Sequence, residues 1–191
     1  MLIFGHAGIT LGAAVMLNGA LSKSYPLCAG GRASCLASLG NRIDIRLLLV
    51  GSLLPDIIDK PVGQFFFRDT FSNGRIFCHT LLFLVVITLV GLYLYRGHGK
   101  LWLLVFSFGT FTHLIFDQMW LESRTFLWPL YGFGFEKIDL SHWTQGVFHA
   151  LLTEPAVYVP ELVGVVILVW FALVTVRKRK VYAFIRNGQV V

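Results

Sequence analysis

Long apolar segments that end at charged residues constrain this chain more than any other feature of its sequence. Residues 76–95 and 156–176 are apolar over about the 20 residues that a helix needs to cross the hydrocarbon core of a bilayer. Residues 2–21 and 101–120 are nearly as apolar, although each contains a histidine. Since 56% of the chain is hydrophobic and only 14% is charged, a water-soluble domain is ruled out as the default expectation, and a disordered chain is excluded.

A fifth apolar segment, residues 45–58, is too short for an upright crossing. It tilts, starts earlier around Cys35, or dips into the membrane without crossing it. The predicted fold is therefore all-α, a polytopic transmembrane bundle of four or five helices. It forms a single integral membrane domain over residues 1–191.

Aromatic residues collect between the fourth and fifth apolar segments. Residues 121–155 are rich in Trp, Phe, Tyr and Gly, the composition expected at headgroup depth. This stretch is predicted to be an interfacial loop or lid. It separates residues 1–120, which carry the candidate site, from the last transmembrane helix at 156–176 and a basic tail at 177–191.

The basic residues predict the orientation of the chain. Lys and Arg together number 16 against 10 acidic residues, but they stand in short runs between apolar segments, so membrane lipid rather than nucleic acid is the expected partner. If all five segments cross, most of these cations share the side of the C-terminus. The positive-inside rule then makes the C-terminus cytoplasmic and the N-terminus external.

Histidines and aspartates recur at the predicted outer end of four helices. A carboxylate near the bilayer centre costs about 2.5 to 3.5 kcal/mol on insertion scales, so such residues usually have a partner or a function. A divalent cation would offset that cost for several of them together. The six candidate ligands are His6, Asp56, Asp59, His79, His113 and Asp117.

Spacing within the helices supports this grouping. His113 and Asp117 are four residues apart and share one helix face. Asp56 and Asp59 share a face as well if their helix continues past Pro55, although a break at that proline is equally compatible with the sequence. Three imidazoles and three carboxylates favour Zn, with Mn or Fe as alternatives, over Ca or Mg.

Four motifs in this order resemble one known family. They are His6 before a helix of small residues, GSLLPDIID at residues 51–59, Arg75-x-x-x-His79-Thr80, and His113-x-x-x-Asp117. Together they are similar to the membrane-bound metal-dependent hydrolases of the YdjM type. The resemblance runs from His6 to about Pro129 and implies metal-dependent hydrolysis in a prokaryotic inner membrane.

One position departs from the family pattern. The family usually has histidine before the arginine of its third motif, where this chain has Gly74, so one potential ligand is missing. One or two bound ions both remain open. Nothing in the spacing selects a replacement among four other residues: Glu154, Glu161, His142 and His149.

The expected activity is hydrolysis of a phosphate ester, or another ester, of an amphiphilic or lipid substrate by metal-activated water. The six histidines and aspartates are the predicted ligands, with Asp59 as an alternative general base. Arg75 would stabilise the developing negative charge, or would simply extend to the membrane interface. Two other functions remain open: an ion- or proton-coupled transporter that uses the same cluster, and a non-catalytic scaffold with a degenerate site.

Overall fold

The structure, a computed structural model, describes residues 2–24, 44–139 and 141–188, with the backbone alone for 17–24. Cys35, an alternative start for the second apolar segment, lies outside these ranges. All regular elements within them are helical and no strand occurs there, which confirms the predicted all-α class. The α-helices are α1 (Ile3–Ser24), α2 (Ile45–Pro61), α3 (Leu81–His98), α4 (Trp102–Phe116), α5 (Ser123–Phe126), α6 (Trp143–Thr153), α7 (Pro155–Arg177) and α8 (Val181–Asn187). A π-helical turn, Val62–Phe66, follows α2, and a 3₁₀ turn, Met119–Leu121, follows α4.

Two of the described helices, α3 and α7, are long and apolar enough to cross a membrane. The apolar stretches Ile3–Met16 and Trp102–Phe116 are shorter. In α3, all of whose residues are described, only Gly91 is buried, while apolar side chains such as Leu89 stay largely exposed. Apolar surface of this extent is unusual in contact with water and fits insertion into a bilayer.

Helix α2 continues through Pro55 and ends at Pro61, so the proline does not break it. Asp56 and Asp59 therefore lie on the same helical turn. Both are buried, whereas Ile57 and Ile58 between them are exposed. The helix thus presents its two carboxylates to the interior of the bundle.

The third apolar segment becomes helical later than its hydropathy predicts. Helix α3 begins at Leu81, and residues 76–80 form turns instead. Their backbone N–H groups have other acceptors, because the Asp59 carboxylate takes those of Ile76 and Cys78. Thr80 then caps the helix by accepting a hydrogen bond from the Phe83 N–H over 3.1 Å.

The aromatic-rich residues 121–155 contain helices α5 and α6 as well as loops. The ring of Trp128 stacks on that of Phe135, with centroids 5.8 Å apart, and the ring of Phe77 meets both edge-on. Backbone and side-chain hydrogen bonds also join Ser72 to Ile138. Part of the predicted interfacial loop is therefore packed against the segment between α2 and α3.

Close helix crossings bring the bundle together. Helix α1 packs between α7 and α2, and α4 packs between α2 and α3. Gly8 of α1 and Gly164 of α7 are in backbone contact, so a Cβ on either would collide with the other helix. A Cβ on Gly109 of α4 would lie 2.6 Å from the Ser52 nitrogen of α2. Glycine is required at these crossings because it lets two backbones approach closely.

Candidate metal centre

The structure brings five of the six predicted ligands together at one end of the bundle. Their donor atoms form two groups, each within 4.8 Å, and His113 belongs to both. One group contains His6 and Asp117, and the other contains Asp56 and His79. The side chains of all three histidines are fully buried, and those of both aspartates are at most 10% exposed. The sixth residue, Asp59, belongs to neither group.

Hydrogen bonds to neighbouring groups orient the rings of His79 and His113. His113 Nδ1 lies 2.7 Å from the carbonyl oxygen of Ser52, and His79 Nδ1 lies 2.7 Å from a carboxylate oxygen of Asp59. A carbonyl or carboxylate oxygen accepts, so each Nδ1 carries the proton. In the neutral rings both Nε2 atoms are then lone-pair donors, and they lie only 3.3 Å apart.

Asp56 has two oxygens with different surroundings. Its Oδ1 lies 3.6 Å from His79 Nε2 and 3.9 Å from His113 Nε2. This oxygen is buried, and no described residue donates a hydrogen bond to it. Its Oδ2 accepts a hydrogen bond from Lys60 Nζ over 2.6 Å. A buried carboxylate oxygen beside two imidazole lone pairs fits a bound cation, since electron-donor atoms alone would repel one another.

His6 extends the cluster on its other side. Its ring stacks on that of His113 with centroids 4.0 Å apart, and its Nε2 lies 3.0 Å from Asp117 Oδ1. Neither ring nitrogen makes a hydrogen bond of good geometry with any residue that the structure describes. A buried imidazole whose nitrogens lack well-formed hydrogen bonds, beside a carboxylate of the same group, is a second indication that the donor set fits a metal ion.

Glu161 of α7 fixes the position of His6 rather than joining the cluster. Its carboxylate oxygens accept hydrogen bonds from the backbone N–H groups of Leu2 and Phe4 over 2.7 and 3.0 Å. These N–H groups are at the start of α1, where an isolated helix leaves them unsatisfied. The three other candidate replacements for the missing ligand are exposed and belong to neither group: His142, His149 and Glu154.

Asp59, which the sequence predicts to be a metal ligand or general base, lies outside both groups of candidate ligands. Its carboxylate accepts hydrogen bonds from the backbone N–H groups of Ile76, Cys78 and His79 over 2.9 to 3.2 Å, in addition to the His79 ring. The residue is fully buried. Asp59 therefore holds the segment before α3 and orients His79.

Changing Asp59 to asparagine is expected to lower metal affinity by roughly 10- to 100-fold, because an NH₂ group replaces one of the two acceptor oxygens and the neutral amide fixes the His79 tautomer less firmly. It should also lower the free energy of unfolding by about 1 to 3 kcal/mol, since buried N–H groups lose acceptors. Metal titration and thermal unfolding in detergent measure the two effects. The exposed residue Asp69 provides the control Asp69→Asn, and equal behaviour of both variants would contradict the role of Asp59.

Arg75 reaches the cluster through a carboxylate. Its Nη2 lies 3.0 Å from Asp117 Oδ2, and its Nη1 pairs with Glu122. Burial alone would lower the pKa of this guanidinium, but the carboxylates of Asp117 and Glu122 hold it above its usual value. Arg75 therefore stays cationic beside the candidate ligands, with its side chain 33% exposed.

Two contributors to the site, Lys60 and Ser52, were missed by sequence reasoning, and the role of a third, Glu161, was not predicted. Lys60 follows Asp56 by four residues, a spacing that could have indicated their ion pair. The contribution of Ser52 is a backbone carbonyl, which leaves no signal in the sequence. Glu161 stood among the possible ligands, but its role as a cap for α1 depends on a contact 157 and 159 residues away in the chain.

Comparison with known proteins identifies the family. A family model described as YdjM inner membrane protein matches residues 1–184, which is nearly the whole chain. No curated protein and no solved structure gives a significant match. The match agrees with the order of the four motifs and with the apolar helices. The chain belongs to the YdjM inner membrane protein family.

Proposed function

We propose that this membrane protein is a metal-dependent hydrolase whose Asp/His cluster holds a divalent cation. The observation that carries the proposal is the approach of His79 Nε2 and His113 Nε2 to 3.3 Å beside the buried Asp56 Oδ1. Two lone pairs and an anionic oxygen facing one another are stable only around a positive charge. The mixed nitrogen and oxygen donor set favours Zn, with Mn or Fe as alternatives.

The proposed ligands are His79, His113 and Asp56, and His6 and Asp117 complete the same pocket. His113 offers a single free nitrogen, because Nδ1 is engaged by Ser52, so it serves one ion at a time. We therefore propose one bound ion rather than two. When bound, such a cation lowers the pKa of water toward neutrality and polarises an ester oxygen.

The residues of this chain have distinct proposed roles in hydrolysis. Asp59 keeps His79 in one tautomer, and Glu161 keeps His6 in place. Arg75 stabilises negative charge as water adds to the ester and the alcohol leaves with a proton. Asp59 is not the proposed general base, because its oxygens are already occupied by N–H donors.

The proposed setting is the outer interface of an inner membrane, with four or five membrane crossings. Support comes from the excess of basic residues on the side of the C-terminus. A link to the aromatic segment adds support, because Ser72 and Asn73, shortly before Arg75, hydrogen-bond to the carbonyl oxygens of Ile138 and Glu136. In the same segment Leu130, Tyr131 and Phe133 expose large apolar surfaces. An amphiphilic substrate such as a phospholipid could enter this end sideways from the lipid.

Hydrolysis by purified protein tests the proposal. In nanodiscs with Zn²⁺ or Mn²⁺, we expect release of a headgroup alcohol, a phosphorylated headgroup or a fatty acid from phospholipid, and Asp56→Asn should reduce the rate by about a hundredfold or more. The matched control is Asp139→Asn, which changes an exposed carboxylate. Equal rates for wild type and Asp56→Asn would contradict the site.

The same short nitrogen–nitrogen distance supports a second candidate function. A proton shared between His79 and His113 would also relieve the facing lone pairs, as in a proton-coupled transporter. Proton flux in proteoliposomes distinguishes this candidate, because a hydrolase produces none. A scaffold with a degenerate site would give neither flux nor bound metal by elemental analysis.

A further inference from the structure

In each of the two acidic candidate ligands, one carboxylate oxygen faces the histidine cluster and the other pairs with a basic side chain. Asp56 turns Oδ1 toward the two imidazoles and Oδ2 toward Lys60. Asp117 turns Oδ1 toward His6 and Oδ2 toward Arg75. The inner oxygens thus face the proposed metal pocket, and each outer oxygen is held by a long basic side chain.

The two cations lie on the accessible side of this arrangement. The side chains of Lys60 and Arg75 are 30% and 33% exposed, whereas those of Asp56 and Asp117 are 10% and 4% exposed. The stem of Lys60 also approaches the residue before Arg75, since a Cβ on Gly74 would lie 3.1 Å from Lys60 Cγ and would collide with Gln64 Nε2. Because residue 74 has no side chain, the stem of Lys60 can pack against this turn.

We propose that Lys60 and Arg75 form a two-cation clamp that binds the phosphoryl group of an anionic substrate beside the metal pocket. This inference rests on the proposed function and deepens it by naming the substrate class. A cation on the inner oxygens neutralises the two carboxylates, and this weakens their hold on Lys60 and Arg75. Both side chains are long and partly exposed, so their charged ends can turn to an incoming anion.

The chemistry of the clamp favours phosphate over a neutral ester. Arg75 presents a planar guanidinium, whose Nη2 end is the one released from Asp117 while Nη1 stays paired with Glu122, and Lys60 adds a compact charge with three donors. A phosphoryl group has enough terminal oxygens to meet both, and charge-assisted bonds of this kind are stronger than neutral ones. A carboxylate ester offers no anionic oxygen to either side chain.

Phosphate binding near the metal tests the clamp. The protein in phosphatidylcholine nanodiscs is loaded with Mn²⁺, and the relaxation of the ³¹P signal of inorganic phosphate is titrated, since paramagnetic relaxation requires phosphate close to the ion. We expect Lys60→Met to weaken phosphate binding by about tenfold or more. Lys60→Arg should retain most of the binding, and Lys100→Met, which removes an exposed cation at the other end of α3, should behave as wild type.

Elemental analysis of the same samples separates the possible failures. Unchanged phosphate affinity in Lys60→Met with Mn²⁺ retained would overturn the clamp and leave the metal site standing. Loss of Mn²⁺ in that variant would also overturn it, because Lys60 would then serve only Asp56. If wild type binds none of Mn²⁺, Zn²⁺ and Fe²⁺, the proposed hydrolase fails. In that case, a phosphate-induced rise in melting temperature that requires Lys60 would still support the clamp, and no rise would refute it.

Competition distinguishes a lipid phosphate from a soluble one. Addition of phosphatidate to the nanodiscs should displace inorganic phosphate if the clamp binds lipid headgroups. Displacement by glycerol phosphate alone would indicate that the substrate is a soluble phosphate ester. The clamp would then stand, but its phosphoryl ligand would not come from a lipid. Displacement by neither organic phosphate would overturn the assignment of a phosphate-ester substrate.

Discussion

Replacing His113 with alanine is expected to abolish metal binding, because this residue belongs to both groups of candidate ligands. No other single change removes a donor from each group and also leaves the Ser52 carbonyl without its ring N–H partner. The affinity for Zn²⁺ should fall by more than the roughly 10- to 100-fold that loss of one supporting hydrogen bond costs. Elemental analysis after dialysis against a weak chelator measures the effect.

The control for this experiment is His149→Ala. His149 lies exposed in α6, outside both groups, so its variant should bind metal as wild type does. A circular dichroism spectrum confirms that both variants keep their helices. Full metal occupancy in a folded His113→Ala protein would show that the buried cluster is not the metal site.

Replacing Gly164 with alanine is expected to separate α7 from α1. The added Cβ would collide with the carbonyl oxygen of Phe4 and would lie 2.8 Å from Gly5 Cα. Both are backbone atoms, so neither can move as a side chain would, and overpacking of this kind costs about 1 to 3 kcal/mol. Glu161 of α7 caps the start of α1, so separation of the two helices should also displace His6 of α1. Metal affinity should therefore fall together with thermal stability.

Gly146→Ala provides the matched control. Gly146 lies in α6, and a Cβ at this position would meet no atom within 4 Å. Alanine is a better helix former than glycine by roughly 0.5 to 1 kcal/mol, so this variant should melt at the same temperature or slightly higher. Unfolding curves in detergent that coincide for the two variants would contradict the proposed backbone contact between α1 and α7.

Much of the helical arrangement could be predicted from hydropathy. The segment 156–176 differs from α7 by one residue at each end, because its apolar run stops at Arg177. The segment 76–95 is predicted less well, since α3 begins at Leu81. Hydropathy reports which residues avoid water, but it does not report that the buried Asp59 carboxylate takes the backbone N–H groups before α3.

The candidate site could be predicted only in part. The positions of five candidate ligands at helix ends follow from the polar residues that interrupt apolar segments, and the structure brings these five together. The sequence pattern does not predict which of these residues act as ligands and which support the ligands. Asp56 and Asp59 are near neighbours in one motif, yet Asp56 faces the Nε2 atoms of two imidazoles, and Asp59 accepts from backbone N–H groups and from His79 Nδ1.

The sequence by itself determined that this chain forms apolar helices and that its histidines and aspartates stand near their ends, because both facts depend on residue type and spacing alone. Tertiary structure decided which side chains meet. The glycine contact of α1 with α7, the Ser52 carbonyl on His113 and the cap by Glu161 all join residues far apart in the chain. Such contacts depend on how helices cross, and a crossing is fixed by packing between surfaces that no local pattern specifies.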